Sequence, residues 1–568
     1  MEQPVKDAKT NWCKMATLIF MLASVLHLLF LVLLRHDLKP SGLLFLLTAL
    51  AMTSAIIYQI FKQKKRPGSE KIILFEIFVF SLLLHFFYVI PCTAGAFGDD
   101  FPQYFYATRL FMNHGYIIPA DVLASPEYEG IRNVIKAVAY HPSLLMNGGL
   151  TSLITGVDLI TICRWLPSVW TAIGTMVVYL VGKSMFSDRR TALLAALAYS
   201  TISWSISFHT QYAREGLALL VLLFALYTFH SSYFRQRGAN FTVLAILFSV
   251  ILILTHYYVS AIWLVLLAVF AFCSVLVDYL VRRTRFFNNK SVWPSGNTFW
   301  RFIAIIVTLT FAYWMYVEVT IMPHLFGLTR TVVRYGIPTI PFSPIVSPSV
   351  MEILLSNIGR WVYLGIYLCL LVEVIRGFLK ACPYLKEDLF VGLWVFLLVI
   401  ALPYLFLLGG PRLYPQRVTI FALPFITMGA AHFGANIGRW QVRNITISLI
   451  VIYIILNLFR LPGVPANLLD PVQRETAKDN YFVYTTYRLP QDPQGIAAMD
   501  FYQRTDDTVF TRWFTVGNRE VFTEAYEVEG GTRLYEFKLY TTHYAIIAPD
   551  SHGNKDMIYN NGEVEIYR

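Results

Sequence analysis

Residues 42–92 read GLLFLLTALAMTSAIIYQIFKQKKRPGSEKIILFEIFVFSLLLHFFYVIPC. Two long apolar runs are joined by a short link carrying Lys62, Lys64, Lys65, Arg66 and Lys71. A helix rising 1.5 Å per residue crosses a hydrocarbon core of about 30 Å with about 20 such residues. Lysines and arginines in a short link between two spans stay on the cytoplasmic side. This one stretch therefore predicts a membrane hairpin and orients it.

The pattern extends in both directions. Spans are expected near 15–34, 42–61, 72–92, 162–182, 191–208, 216–232, 241–256, 259–280, 300–321, 357–376, 388–408, 418–436 and 445–460, about thirteen in all. Further inner links then fall at Arg189–Arg190, Arg235–Arg237, Arg282–Arg283–Arg285, Arg376–Lys386 and Arg439–Arg443. Every alternate link is basic, so one threading satisfies the whole chain. It puts the N-terminus inside and the C-terminal end outside. The sequons at Asn240, Asn289 and Asn444 all fall on the inner side, where glycosylation would not reach them.

Composition agrees. The chain has 568 residues, 56% of them apolar and 14% charged, against about 25% charged in soluble proteins. The net charge of +11 is unevenly spread. From Leu461 to Arg568 there are 10 Lys+Arg against 16 Asp+Glu; the rest of the chain holds 36 against 19. The basic excess sits in inner links, not on one soluble face, which excludes nucleic acid as the partner. The six cysteines form no CxxC, so neither a disulfide framework nor a zinc site is expected. The first apolar run is too long for the core of a signal peptide and lacks a cleavage site.

The expected class is mainly α: a polytopic bundle with a small α/β C-terminal extracytoplasmic domain. Residues 1–71 hold the first two spans, 72–460 the remaining spans with an outer loop at 93–158, and 461–568 the soluble part. In that part Tyr481–Tyr487, Thr508–Phe514 and Leu534–Ile547 read as strands. Asp492-Pro493 starts a helix reaching about Arg504. Asn561-Gly562 makes a hairpin turn between Met557–Tyr559 and Val564–Tyr567.

Asp99 and Asp100, in Phe-Gly-Asp-Asp-Phe, stand just after the third span. Two carboxylates at a membrane surface are expensive to desolvate. They suit a general base for a hydroxyl, oxygen ligands for a divalent cation such as Mg or Mn, or a solvated loop. An amphipathic stretch, Tyr104 to Gly115, follows, then Tyr140-His141-Pro142-Ser143-Leu144 and a short apolar helix to Gly156.

In this order the motifs resemble the GT-C glycosyltransferases, especially protein O-mannosyltransferases and lipid A aminoarabinose transferases, and more distantly the catalytic subunit of oligosaccharyltransferase. Arg164-Trp165-Leu166-Pro167-Ser168 onward, Gln211-Tyr212-Ala213-Arg214-Glu215, and Arg412-Leu413-Tyr414-Pro415-Gln416-Arg417 with Pro424 extend the likeness. It is continuous over about 98–234 and patchy beyond. Compared with those families, two extra spans precede the acidic pair, Ser143 replaces a usual Pro, and Trp-Trp-Asp-Tyr-Gly is absent, which argues against whole-glycan transfer to Asn.

The resemblance implies a GT-C-like helical bundle. It also implies inverting transfer of a sugar from a polyprenyl- or dolichyl-phosphate donor to a hydroxyl of protein, lipid or glycan. Asp99, with Asp100 beside it, is then the expected base. Arg214, Arg412 and Arg417 are outer-face candidates for the leaving phosphate, with headgroup anchoring as the alternative. Glu215 would orient an acceptor, assist a metal or pair with Arg214. His141 would contact phosphate or only start a helix. His256 would line the cavity or belong to an aromatic belt. Asp158 reads as a helix cap, and Glu318 and Glu352 are outer acids. The setting expected is a prokaryotic plasma membrane. Rivals are an O-antigen polymerase or ligase, a multi-span transporter and an inactive binding relative. Span centres that read as mostly apolar speak against transport.

Overall fold

The computed structural model describes residues 3–35, 42–62, 69–90, 101–116, 140–186, 188–202, 206, 208–283 and 297–317. It also describes scattered positions between 423 and 458 and strand residues between 510 and 567. The helices are α1 (Gln3–Arg35), α2 (Gly42–Lys62), α3 (Ser69–Val89), α4 (Phe101–His114), α5 (Ser143–Thr155), α6 (Leu159–Phe186), α7 (Arg189–Ser200), α8 (Arg214–Tyr233), α9 (Ala239–Thr255), α10 (Tyr257–Arg283) and α11 (Asn297–Tyr316). Among the described residues six segments are long and apolar enough to cross a membrane: Lys14–Leu33, Leu43–Lys62, Glu70–Val89, Leu159–Met185, Arg214–Tyr233 and Asn297–Tyr316. Ala239–Thr255 and Tyr257–Phe272 are shorter apolar helices. The spans expected near 357–376 and 388–408 lie outside the described residues.

The two ends of the bundle differ. At one end, Lys183 and Arg189 both pair with Glu70; the Arg189 Nε contact is 3.0 Å. These residues end α6, begin α7 and begin α3, so one carboxylate ties three helix ends together. Arg235 Nε donates to the Ser184 carbonyl at 2.8 Å. This end carries the basic links that the threading places inside.

The fifth span, expected at 191–208, is not one continuous helix. Helix α7 has 12 residues and ends at Ser200. The Ser200 and Thr201 hydroxyls donate to the carbonyls of Leu197 and Ala198, at 2.8 and 2.9 Å. The Thr201 N–H then reaches back to Ala198 at 3.4 Å, a three-residue step that tightens the last turn. Helical bonding resumes beyond, from Ile206 to Ile202 and Thr210 to Ile206.

Span interiors are also more polar than their sequences suggest. Glu76 of α3 is buried and accepts from Gln59 Nε2 of α2 at 2.6 Å. His27 Nδ1 of α1 meets the Thr48 hydroxyl of α2 at 2.8 Å, and Ser81 of α3 meets Thr175 of α6 at 3.3 Å. These bonds sew α1 and α2 onto the rest. The apolar centre is aromatic: Phe229 packs edge-on to Trp263 at 5.7 Å and against Phe270 and Phe302 at 5.3 and 5.4 Å.

Helices α4 and α5 end as their glycines demand. Gly115 and Gly156 have φ of 72° and 70°, a left-handed conformation that strains any residue with a side chain. The Gly156 N–H closes on Ser152 O at 2.9 Å. Asp158 caps α6, taking the Thr161 N–H at 2.9 Å. Slight desolvation pushes its carboxyl up, but the Thr161 hydrogen bonds and the Arg164 charge outweigh this and hold it below the ordinary carboxylate value.

Near the C-terminus, strands β1 (Phe510–Val516), β2 (Arg519–Val528), β3 (Gly531–Thr541), β4 (Tyr544–Ala545), β5 (Met557–Asn560) and β6 (Val564–Tyr567) form one antiparallel sheet. Its order is β1-β2-β3-β6-β5, with β4 on β3. Strand β2 was not foreseen from the sequence. The helix expected at 492–504 and the strand at Tyr481–Tyr487 lie outside the described residues.

Candidate functional site

The opposite end of the bundle gathers polar side chains from five places in the chain. Helix α8 begins at Arg214, after Ala213 in an extended conformation with φ −137° and ψ 153°. Arg214 and Glu215 thus occupy its first turn, where the helix dipole favours the Glu215 carboxylate. Both are buried, at 8% and 2% exposure. Charges removed from water persist only when paired or hydrogen-bonded, and each has contacts of that kind.

Glu215 Oε1 lies 3.4 Å from His256 Nε2. His256 sits at the break between α9 and α10, with φ −163° and ψ 121°. Its Nδ1 accepts the Tyr258 N–H at 3.1 Å, capping the first turn of α10. A ring nitrogen that accepts carries no proton. The remaining proton is therefore on Nε2, directed at Glu215. One imidazole thus caps a helix and positions a carboxylate from another.

Arg214 Nε donates to the Tyr104 hydroxyl of α4 at 3.2 Å. The guanidinium carbon lies 5.5 Å from the Tyr104 ring centroid, a cation–π arrangement. His141, fully buried, precedes α5. Its ring stacks on His256 at 6.2 Å and 19° and lies 5.9 and 6.3 Å from the rings of Tyr257 and Tyr313. The Tyr313 hydroxyl of α11 bonds the Tyr140 carbonyl.

Four residues singled out in the sequence are therefore brought together: Arg214, Glu215, His141 and His256. His256 is buried against Glu215 rather than placed in an aromatic belt. Asp99, Asp100, Arg412, Arg417, Glu318 and Glu352 lie outside the described residues. Tyr104, Tyr257 and Tyr313 were not foreseen as site residues. The amphipathic stretch from Tyr104 was a signal, but its partner is far along the chain.

The arrangement offers a guanidinium for a phosphate, a carboxylate for a hydroxyl or cation, and imidazoles to orient both. Among the described residues no three His, Cys, Asp or Glu side chains are placed to hold a metal ion. Glu215 and His256 are turned towards each other, so these residues do not by themselves form a cation site.

No family model matches the sequence, and no curated protein matches it. Among solved structures the chain is similar to the Archaeoglobus fulgidus oligosaccharyltransferase tethered to an acceptor peptide, with 10% identity and a TM-score of 0.42. That match covers 76% of this chain and 58% of the other. The same organism's enzyme in complex with an inhibitory peptide and a dolichol-phosphate gives 12% identity and a TM-score of 0.41, over 77% and 60% of the two chains. Its complex with zinc and sulfate gives 12% and 0.39, over 75% and 56%. The chain thus spans under two thirds of the length of these neighbours. Likeness at this level carries no activity across, and the functional reading rests on this chain's own residues.

Proposed function

We propose that this chain is a membrane glycosyltransferase of the GT-C kind. It takes a sugar from a polyprenyl- or dolichyl-phosphate donor and passes it to a hydroxyl on protein, lipid or glycan. The observation that carries the reading is the buried Arg214–Glu215 pair opening α8, with His256, His141 and Tyr104 converging on it from α4, α5 and the α9–α10 break. A charged pair buried at one end of a membrane bundle, with imidazoles gathered on it, is costly and marks a site.

In the proposed reaction Asp99, with Asp100 beside it, takes the acceptor's hydroxyl proton as its oxygen bonds the anomeric carbon. The bond from that carbon to the phosphate oxygen breaks, its electron pair stays on the phosphate, and the configuration inverts. Arg214 meets the charge growing on the leaving phosphate, and Arg412 and Arg417 are proposed to share this task. Glu215, held by His256, orients the acceptor. His141 completes the wall. Asp99 and Asp100 are also the proposed ligands for Mg or Mn, ions that favour carboxylate oxygen; such an ion would supply positive charge beside the phosphate. The site faces the outer side in this proposal, with the N-terminus cytoplasmic, in the plasma membrane of a prokaryote.

The test is transfer from radiolabelled polyprenyl-phosphate sugars in membranes containing wild type, Asp99→Asn, Asp100→Asn or Glu215→Gln. Transfer abolished by one aspartate substitution at normal accumulation supports the reading and identifies the base. Transfer that survives both removes the acidic pair from catalysis.

A further inference from the structure

We propose that Tyr104 is the positioning residue for the donor phosphate, acting by fixing the Arg214 guanidinium; this rests on the lipid-phosphate reading above. An arginine on a helix end has a long, freely rotating stem, and ordering it costs conformational entropy at the moment of binding. Tyr104 removes that freedom in advance. Its hydroxyl accepts the Nε–H at 3.2 Å, and its ring centroid lies 5.5 Å from the guanidinium carbon. A hydrogen bond at the Nε edge together with the cation–π contact restrains the rotation of the group. The Nη groups at the far edge are the donors a phosphate would take.

Tyr104 can do this only because α4 is itself pinned. The Thr108 hydroxyl, one turn on, donates to the Tyr104 carbonyl at 2.7 Å and lies 3.3 Å from the Tyr212 hydroxyl. The Tyr212 hydroxyl donates to the Leu144 carbonyl of α5 at 3.0 Å. Tyr212 stands two residues before Arg214. The same short segment therefore packs on α4 through Tyr212, bonds α5 through the Tyr212 hydroxyl and is gripped by α4 through Tyr104. The loop closes on itself, so the guanidinium is referenced to α4, α5 and α8 together.

The test is a double-mutant cycle on the full chain in nanodiscs, with farnesyl phosphate as the probe and binding read by calorimetry. Tyr104→Phe keeps the ring and removes the acceptor. It is expected to weaken binding by roughly three- to tenfold in the native background. In an Arg214→Lys background, which lacks the planar fork, Tyr104→Phe should change binding by less than about twofold. An equal loss in both backgrounds would mean that Tyr104 merely supports α4, and would overturn the proposal. Unchanged binding by Tyr104→Phe while Arg214→Gln abolishes it would overturn the proposal and leave the phosphate reading standing. A wild type that does not bind the probe would overturn both. Should Tyr104→Phe not accumulate, Tyr104→Leu, which also lacks the acceptor, runs the same cycle.

Discussion

Substituting Gly148 by alanine tests the packing on which the site depends. Gly148 lies in α5, where an added Cβ would sit 2.0 Å from the Tyr212 hydroxyl oxygen and 2.9 Å from its ring carbon Cζ. Tyr212 cannot swing aside, because it is fully buried, packs on Trp170 at 6.1 Å and bonds Leu144. Overpacking a filled core costs about 1–3 kcal/mol, and losing the Tyr212–Leu144 bond adds about 0.5–1.5 kcal/mol. Alanine returns about 0.5–1 kcal/mol through lower backbone entropy. The net expectation is roughly 1–3 kcal/mol of local destabilisation. Gly174 of α6 is the control. Its Cβ would meet only Leu220 and Leu223 at 3.9 Å, so alanine there should be neutral or stabilising. Cys163 provides a local reporter, being buried on α6, the helix whose Trp170 packs on Tyr212. In a background with the other five cysteines replaced by serine, Gly148→Ala should speed Cys163 labelling by roughly 5- to 150-fold, at tenfold per 1.4 kcal/mol. Gly174→Ala should not. Adding Tyr212→Phe should recover part of the loss, since the nearest atom then lies at 2.9 Å instead of 2.0 Å. Equal labelling rates for Gly148→Ala and Gly174→Ala would refute this account of how α4, α5 and α8 are locked.

Other substitutions separate stability from chemistry. His256→Asn keeps a side-chain acceptor for the first turn of α10 but not the contact to Glu215. It should therefore keep the cap but strand the buried Glu215 carboxylate, losing sugar transfer and about 1–3 kcal/mol of thermal stability, whereas His256→Ala should lose about 1 kcal/mol more with the cap. Retained transfer in the asparagine variant would show that Glu215 needs no imidazole. Within the bilayer, Glu76→Leu should destabilise by about 1–2 kcal/mol by stranding the Gln59 amide, and Glu76→Gln by less. Melting in detergent checks this, and equal effects would remove the pair from the docking of α2 on α3. Asp158, held below its ordinary value of 3.8 in the folded chain, stabilises the start of α6 fully above that pH. Its contribution falls away as pH drops through the lower folded value. Protection of the Thr161 and Ile162 amides against exchange, taken relative to the intrinsic rate at each pH, should fall only under those acidic conditions, and a loss of protection near neutrality would refute the cap.

Much of the candidate site was legible because threading a membrane fixes which residues share a side. Arg214, Glu215, His141 and His256 are spread over more than a hundred residues, yet alternation of basic links places all four at one end. Whether they touch depends on helix rotation, which hydropathy does not encode. Hence His256 read equally well as a belt residue, and Tyr104 was seen only as part of an amphipathic stretch. The shortness of α7 was missed because Ser200 and Thr201 are tolerated within apolar spans. Only the backbone, where the Thr201 N–H bonds the carbonyl three residues back, shows that the helix ends there.

By itself the sequence determined that this is a chain of apolar helices with one basic end. Twenty-residue apolar runs have no other low-energy place than a bilayer, and short basic links have a preferred side. It also determined where helices stop at Gly115 and Gly156 and where Asp158 starts one, since these are local backbone effects. Only the tertiary structure decided that a carboxylate from α8 faces an imidazole from the α9–α10 break, that a tyrosine from α4 holds an arginine, and that Glu76 meets Gln59. Each is a pairing of buried polar groups from separate helices, and such pairings depend on rotation and register, which packing alone sets.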